Sequence, residues 1–461
     1  MGVGAFIEPL VVVTLLFGGT WINRNTNYTM SRHSKRRNAR TSTTDLRDSS
    51  PDSLESGINS PIMTDSLLSD ADMRSASPSL LWPQESKWRK RELRFLGFKT
   101  EVTTPNTRRF QGRLMSRLLQ KYPFLVEAWY WALIYWVYQL GRAFTAVTLV
   151  EGTVHVARKH ALQLIRLEQR LHLFHELPIQ HWFLAHPLLM HWTNRIYSFI
   201  HIPATILFLV WLYYYTTTRT NRLSLPLPTN ATHDSLTGPR LYEARRRTMA
   251  MCNLLAFIVF TAWPCMPPRL LSDPSVTGPS GEVARQYGFV DTVHGGAGEG
   301  SVWTTNRFCN QYAAMPSLHF GYSLLIGLTI CSIPLVPQHQ RGRRALSLRL
   351  PGTAGGWGVR VRVLEWRRVA CLVVGVGYPT VILAAIIATA NHFILDAVAG
   401  AVVCGVAWRG NQVLLNLRAA EDWLLWCLRV CKPERRESDE EWDCEWEGEV
   451  LMGRKDGGDI F

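Results

Sequence analysis

The chain has 461 residues, with 50 Lys+Arg against 36 Asp+Glu for a formal net charge of +14, and it contains 18 Trp. Mean hydropathy is −0.02, yet the apolar residues gather in blocks of roughly 17 to 25, the length a helix needs to cross ~30 Å of hydrocarbon. A simple soluble enzyme is excluded. Nucleic-acid binding is excluded as well, because the basic residues flank apolar blocks as they do in membrane loops.

In chain order, Gly2 to Trp21 is apolar apart from Glu8 and is followed by Arg24, Arg32, Lys35, Arg36 and Arg37. A signal peptide carries its positive charge ahead of the apolar run, so residues 1–21 read as a transmembrane anchor with its C-terminal end in the cytosol. Residues 22–85 are rich in Ser, Thr, Asn, Asp and Arg and are expected to stay disordered. Residues 86–121 mix Lys87, Arg89, Lys90, Arg91, Arg94, Arg109, Arg113 and Arg117 with Trp88, Phe95, Phe98, Phe110 and Leu114. That composition suits a basic helix lying on an anionic membrane surface, or a solvated linker.

Six spans follow, over about Tyr122–Val150, Ile196–Tyr215, Met249–Met266, His319–Val336, Val369–Thr389 and Phe393–Trp408. The expected fold is therefore all-α, a polytopic bundle of six core transmembrane helices in a 122–410 domain, with the anchor helix and disordered tails. Residues 411–461 read as a cytosolic tail whose end, from Asp439 to Glu447, is acidic and solvated. Glu168 to Trp192, between the first two spans, is too polar to cross and reads as interfacial. Nine Cys without a C-x-x-C pair indicate neither a disulfide framework nor a zinc site. No cofactor or metal is expected, since the histidines from His172 to His201 give no compact ligand set with carboxylates.

The loop from Leu271 to Ser317 has only Arg285 and Arg307 as basic residues, whereas the two loops on the other side carry Arg219 to Arg247 and Arg341 to Arg368. The positive-inside rule makes the basic side cytosolic, with both tails, and the Leu271–Ser317 side lumenal. Three short stretches fall on that lumenal side: Pro267-Pro268-Arg269, Pro316-Ser317-Leu318-His319, and Asn391-His392 with Asp396. A span that ends there, one that starts there and a hairpin can share one site.

Each stretch suits a phosphate. Pro316 fits the first turn of a helix, whose free N–H groups together with Ser317 favour an anion. Arg269 offers a planar fork of donors. His392 and Asp396 are four apart, so on a helix they share a face; the carboxylate can orient the imidazole and leave its other nitrogen as a nucleophile. His319 is then available as the acid for the leaving oxygen. Asp396, in an otherwise apolar span, is functional by default.

At this point Ala314-Met315-Pro316-Ser317-Leu318-His319 and Asn391-His392 with Asp396 resemble the second and third motifs of the type-2 phosphatidic acid phosphatase superfamily. More narrowly, the chain resembles its inositolphosphotransferase branch, which includes inositol phosphorylceramide synthase. Pro267-Pro268-Arg269-Leu270 is similar to that branch's first motif, and Glu176, Gln180, Asn194, Tyr197 and His201 fall where such sequences have a pre-helix and second span. The resemblance covers about residues 122 to 410. It implies a six-helix, metal-independent lipid phosphotransferase or phosphatase. His392 would form a phosphohistidine oriented by Asp396, with His319 as acid and Arg269 and Ser317 on the phosphoryl oxygens. Ala385 and Ile386 replace the superfamily's usual Ser-Arg pair, the first motif's Lys has no match, and Arg307 is a substitute phosphate ligand. The implied partners are the bilayer, a phospholipid donor such as phosphatidylinositol, and a lipid hydroxyl such as ceramide (or water) as acceptor. An endomembrane (Golgi or endoplasmic reticulum) with a lumenal site is the implied location. The competing readings are a transporter or channel using Asp396 and the histidines, and a scaffold without catalysis.

Overall fold

A computed structural model describes residues 4–30, 86–95, 97–148, 152–223, 238–274, 276, 278–293, 312–335, 345–349, 358–362 and 366–433. In chain order its helices are α1 (Gly4–Ile22), α2 (Leu114–Lys121), α3 (Phe124–Thr148), α4 (Gly152–Arg170), α5 (Glu176–Leu184) and α6 (Pro187–Thr218). They continue as α7 (Pro239–Ala262), α8 (Pro279–Arg285), α9 (Leu318–Ser332), α10 (Trp366–Ala388), α11 (Ile394–Gly410) and α12 (Leu417–Leu428). The described residues are mostly helical, but the expectation of helices alone is not met. Strands β1 (Trp88–Phe95) and β2 (Phe98–Pro105) pair antiparallel, as do β3 (Ala345–Arg349) and β4 (Gly358–Arg362).

Among the described residues, three helical runs are long and apolar enough to cross a membrane: Pro187–Thr218, Trp366–Ala388 and Ile394–Leu428. The chain is an integral membrane protein of helical type. Ile7–Ile22 and Leu318–Ser332 are shorter apolar helices. Of the other expected spans, α3 is 25 residues long but carries Glu127 and Arg142 among many Trp and Tyr, and α7 opens on Arg240 and Arg245 to Arg247.

The chain divides into two compact units, the larger formed by residues 1–23 and 124–415 together with residues 436–461, which lie outside those described. Within it α9 packs on α10 and α11, α7 packs on α11, and α1 packs on α6. Glycines set how closely these backbones approach. A β-carbon on Gly327 would lie 2.2 Å from the Gly375 carbonyl oxygen, and one on Gly400 would lie 2.3 Å from that of Ser317. Small residues at such crossings let membrane helices pack by direct van der Waals contact. Here the Gly400 contact draws α11 onto the start of α9, where His319 lies and just past His392, and the Gly327 contact holds α9 on α10 farther along. The core beneath is apolar, with Phe208, Leu212, Tyr242, Cys252 and Leu325 all buried.

The second unit comprises residues 24–123 and 416–435. Its basic stretch is a hairpin over 88–105, not the expected interfacial helix; only α2 is helical there, with a 310 turn at Thr107–Phe110. Gly97 takes φ +88° in the turn, a conformation glycine adopts at little cost. The hairpin's partner comes from the far end of the chain. Asp422, buried on α12, accepts from Arg91 Nε at 2.9 Å and from Thr104 Oγ1 at 2.9 Å. Asn416 brackets the Arg94 backbone with two hydrogen bonds, and Phe110 packs on Trp426. The residues just past 410, expected to begin a tail, are thus helical and packed. The expected disordered segment beyond Met30 and the acidic end lie outside the described residues.

Candidate active site

Three chain segments converge at one end of the larger unit. The first is the stretch after α7, where Arg269 N–H donates to the Ala390 carbonyl at 2.9 Å. The second is the start of α9, and the third is the turn joining α10 to α11. Helix α10 ends as Asn391 N–H and His392 N–H both bond the Ile386 carbonyl, while Ala390 takes φ +51°. This is the left-handed cap that usually falls to glycine, and it sets His392 just ahead of α11.

His392 and His319 face each other with ring centroids 5.6 Å apart. Both line a cavity of about 740 Å³, as do Arg269, Asn391 and Tyr197. Away from the histidines the walls are largely apolar, with Trp131, Trp136, Leu209 and Phe260 among them. The expected convergence of the three motifs is therefore present in the fold.

The fine geometry differs from the expectation in two places. His392 precedes Phe393, the N-cap of α11, so it is not helical and the four-residue spacing to Asp396 does not bring the two groups into a hydrogen bond. Nδ1 of His392 instead lies 2.8 Å from the Ala314 carbonyl oxygen, with Asp396 Oδ2 at 3.6 Å. A carbonyl can only accept, so Nδ1 carries a proton, and in the neutral ring the lone pair is on Nε2. Asp396, fully buried, caps its own helix by accepting from Phe393 N–H at 2.9 Å. Its charge still stands beside the imidazole.

Ser317 is the second correction. It does not line the cavity: it is wholly buried and serves as the N-cap of α9, where its Oγ accepts from Phe320 N–H at 3.4 Å. Its own N–H is spent on the Asp396 carbonyl at 2.9 Å, and Pro316 stands ahead of the cap, not in the first turn. Ser317 therefore ties α9 to α11 and is not a phosphate ligand here. Arg307 lies outside the described residues.

Arg269 is anchored but not consumed. Nε donates to Asn391 Oδ1 at 2.9 Å, and Nη1 donates to Asp291 Oδ2 at 3.0 Å. Asp291 sits on a loop that amide side chains hold in place. Gln180 exchanges two hydrogen bonds with the Val290 backbone, and Asn194 exchanges two with Thr292. The guanidinium is thus aimed into the cavity by an amide and a carboxylate from two segments, which fixes the direction of its remaining donors.

His319 is held by rings. Tyr197 stacks on it with centroids 4.8 Å apart, and His201 lies 5.1 Å away. His201 Nδ1 is in turn 3.0 Å from the Tyr378 hydroxyl. Behind His392, by contrast, stand carboxylates: Ile394 N–H donates to Glu176 Oε1 and Leu395 N–H to Glu168 Oε1, each at 2.8 Å.

The family model of the PAP2 superfamily matches residues 162–227, 235–339 and 356–409. Over those residues the chain is similar to this superfamily. Neither the curated proteins nor the solved structures give a match to it. PAP2 superfamily members are phosphoesterases, phosphatase-like and membrane-bound. The three matched blocks contain every segment that builds the cavity's polar end.

Nothing local in the sequence assigns a role to Asp291 or Glu168. Gln180, Asn194, Glu176, Tyr197 and His201 carried only a resemblance. Each reaches the site from an element far from the motifs in the chain, so no local spacing marks it. The one available signal was the cost of a buried charge: Glu168 and Glu176 fall in a stretch with an apolar helical face.

Proposed function

We propose that this protein is a lipid phosphotransferase that moves a phosphoryl-linked head group, phosphoinositol in the reading the sequence favours, from a phospholipid to a lipid hydroxyl. The observation that carries it is the opposition of two imidazoles and a guanidinium at the polar end of an apolar cavity. Nε2 of His392 attacks phosphorus, the N–P bond forms, and the bond to the diacylglycerol oxygen breaks as His319 delivers a proton to that oxygen. The acceptor hydroxyl then gives its proton to His319 as its oxygen displaces the histidine. Arg269 and the N–H groups of Leu318 and His319 at the start of α9 hold the charge on the phosphoryl oxygens. Asp396, 3.6 Å from Nδ1, offsets the positive charge of the phosphorylated ring. The apolar walls of the cavity suit acyl chains, and large Trp side chains line it at α3.

In this reading α3, α6, α7, α9, α10 and α11 are the six spans, the site faces the lumen of an endomembrane compartment, and the basic loops are cytosolic. With water as acceptor the same steps make the enzyme a lipid phosphate phosphatase. The choice turns on whether the acceptor's arrival excludes water. The test uses purified protein and phosphatidylinositol labelled in its head group, with and without ceramide. Acid-labile label on His392, transferred to ceramide in wild type and absent in His392→Ala, is the expected result. Label on another residue, or full turnover in the inserted variant, overturns the mechanism; release of inositol phosphate alone selects hydrolysis.

A further inference from the structure

The first three N–H groups of the α11 start each donate to a different carboxylate: Phe393 to Asp396, Ile394 to Glu176 and Leu395 to Glu168. All three side chains are fully buried. Each uses one oxygen, and the second oxygens (Asp396 Oδ1, Glu176 Oε2 and Glu168 Oε2) are buried without a hydrogen-bond partner. Glu168 closes α4 and Glu176 opens α5, so the two acids reach α11 as a pair, from residues more than 200 positions earlier. They do not form a metal-ligand group among the described residues. Three ionised carboxylates in such a place would repel one another with little solvent screening, and the half-charge of one helix N-terminus cannot offset them.

We infer that Glu168 and Glu176 share one proton and act as an acid pair that positions His392 by clamping the backbone of residues 394–395. This rests on the reading of His392 as the nucleophile. A hydrogen between the two carboxyl groups satisfies both orphan oxygens and lowers the buried charge by one. The clamp keeps residue 393 and the preceding His392 on the Ala314 carbonyl. Burial and the neighbouring Glu176 charge push the Glu168 carboxyl up to about 9. The groups facing it are Glu176 on α5, Asp396 on α11 and, nearby, the Cys265 thiol. Helix α8, which also packs on α4, carries Glu282 and Arg285, the latter bonded to the Val276 carbonyl.

Deprotonation of the pair places an additional negative charge beneath His392 and loosens the clamp. Wild-type kcat is therefore expected to fall on the alkaline side with a midpoint near 9. Glu168→Ala should lower kcat on the order of 10²-fold with KM little changed, because a displaced nucleophile misses its line of attack. Glu168→Gln, whose amide donates permanently to Glu176 and still accepts from Leu395, should restore most of that loss and remove the alkaline limb. Infrared spectra supply a readout without turnover: a protonated-carboxyl stretch that titrates away near pH 9 in wild type and is missing in Glu168→Gln. Unchanged kcat in Glu168→Ala, an unchanged alkaline limb in Glu168→Gln, or no such band in wild type overturns the acid pair. If no lipid turns over, the function reading fails while the infrared result still decides this proposal, and Glu168→Gln decides it where Glu168→Ala does not fold.

Discussion

The two histidines of the site are held in opposite ways. The wall behind His392 is built from hydrogen bonds and carboxylates: the Ala314 carbonyl on Nδ1, and Asp396, Glu176 and Glu168 on the adjoining N–H groups. The wall behind His319 is built from rings, with Tyr197 stacked on it, His201 beside it and Tyr378 beyond. A nucleophile must present one nitrogen in one tautomer along one line, and directional hydrogen bonds supply that. A proton donor must change protonation state within each cycle, and a polarizable aromatic stack tolerates that change without breaking a fixed bond. The difference between the walls matches the roles proposed for the two imidazoles.

The sharpest way to break this comparison is to exchange losses. His392→Ala should abolish phosphoenzyme and turnover altogether, read by label trapping on purified protein. His319→Asn should slow turnover of natural lipids by about 10²- to 10⁴-fold, the usual worth of a general acid, but far less with an aryl phosphate whose leaving group needs no proton. Equal losses on both substrates would remove His319 from the acid role. Arg269→Lys, which exchanges a fork anchored on Asn391 and Asp291 for a point charge, should lower kcat by roughly 10²-fold, measured as initial rates at saturating lipid. On the ring wall, Tyr378→Phe deletes one hydrogen bond to His201, worth about 1 kcal/mol, so a few-fold fall in kcat is expected. A loss as large as that of Arg269→Lys would show that the rings do more than pack.

The smallest effect sharpens the carboxylate wall through stability. Glu168 has its folded-state value raised from 4.5 to about 9, so the native protein holds a proton that the unfolded chain releases. Its contribution is complete below pH 4.5 and fades as pH climbs through 9. Thermal unfolding in detergent should show wild type losing stability across that window relative to Glu168→Gln, and parallel curves would contradict it.

Much of this was legible in order of residues. Apolar blocks of membrane length, Arg-rich loops and the motifs around Arg269, His319 and His392 are local patterns, and they meet in space as their placement at span ends implied. The register of the helix starts was not legible. Both α9 and α11 begin after the residues expected in their first turns, so Ser317 became a cap facing inward and His392 lost the helical relation to Asp396. The β1–β2 hairpin was hidden too, because its even mixture of Arg, Lys, Glu and aromatics has no clean period, and what stabilises it is Asp422 from the far end of the chain.

The sequence by itself determined the solvent this chain prefers and the chemical groups it brings to the membrane boundary, since hydropathy and residue type are properties of short stretches. Tertiary structure alone decided which atom each group touches. A hydrogen bond is directional over tenths of an ångström, and the carbonyl that orients His392, the loop that aims Arg269 and the acids that cap α11 all arrive from segments tens to hundreds of residues away.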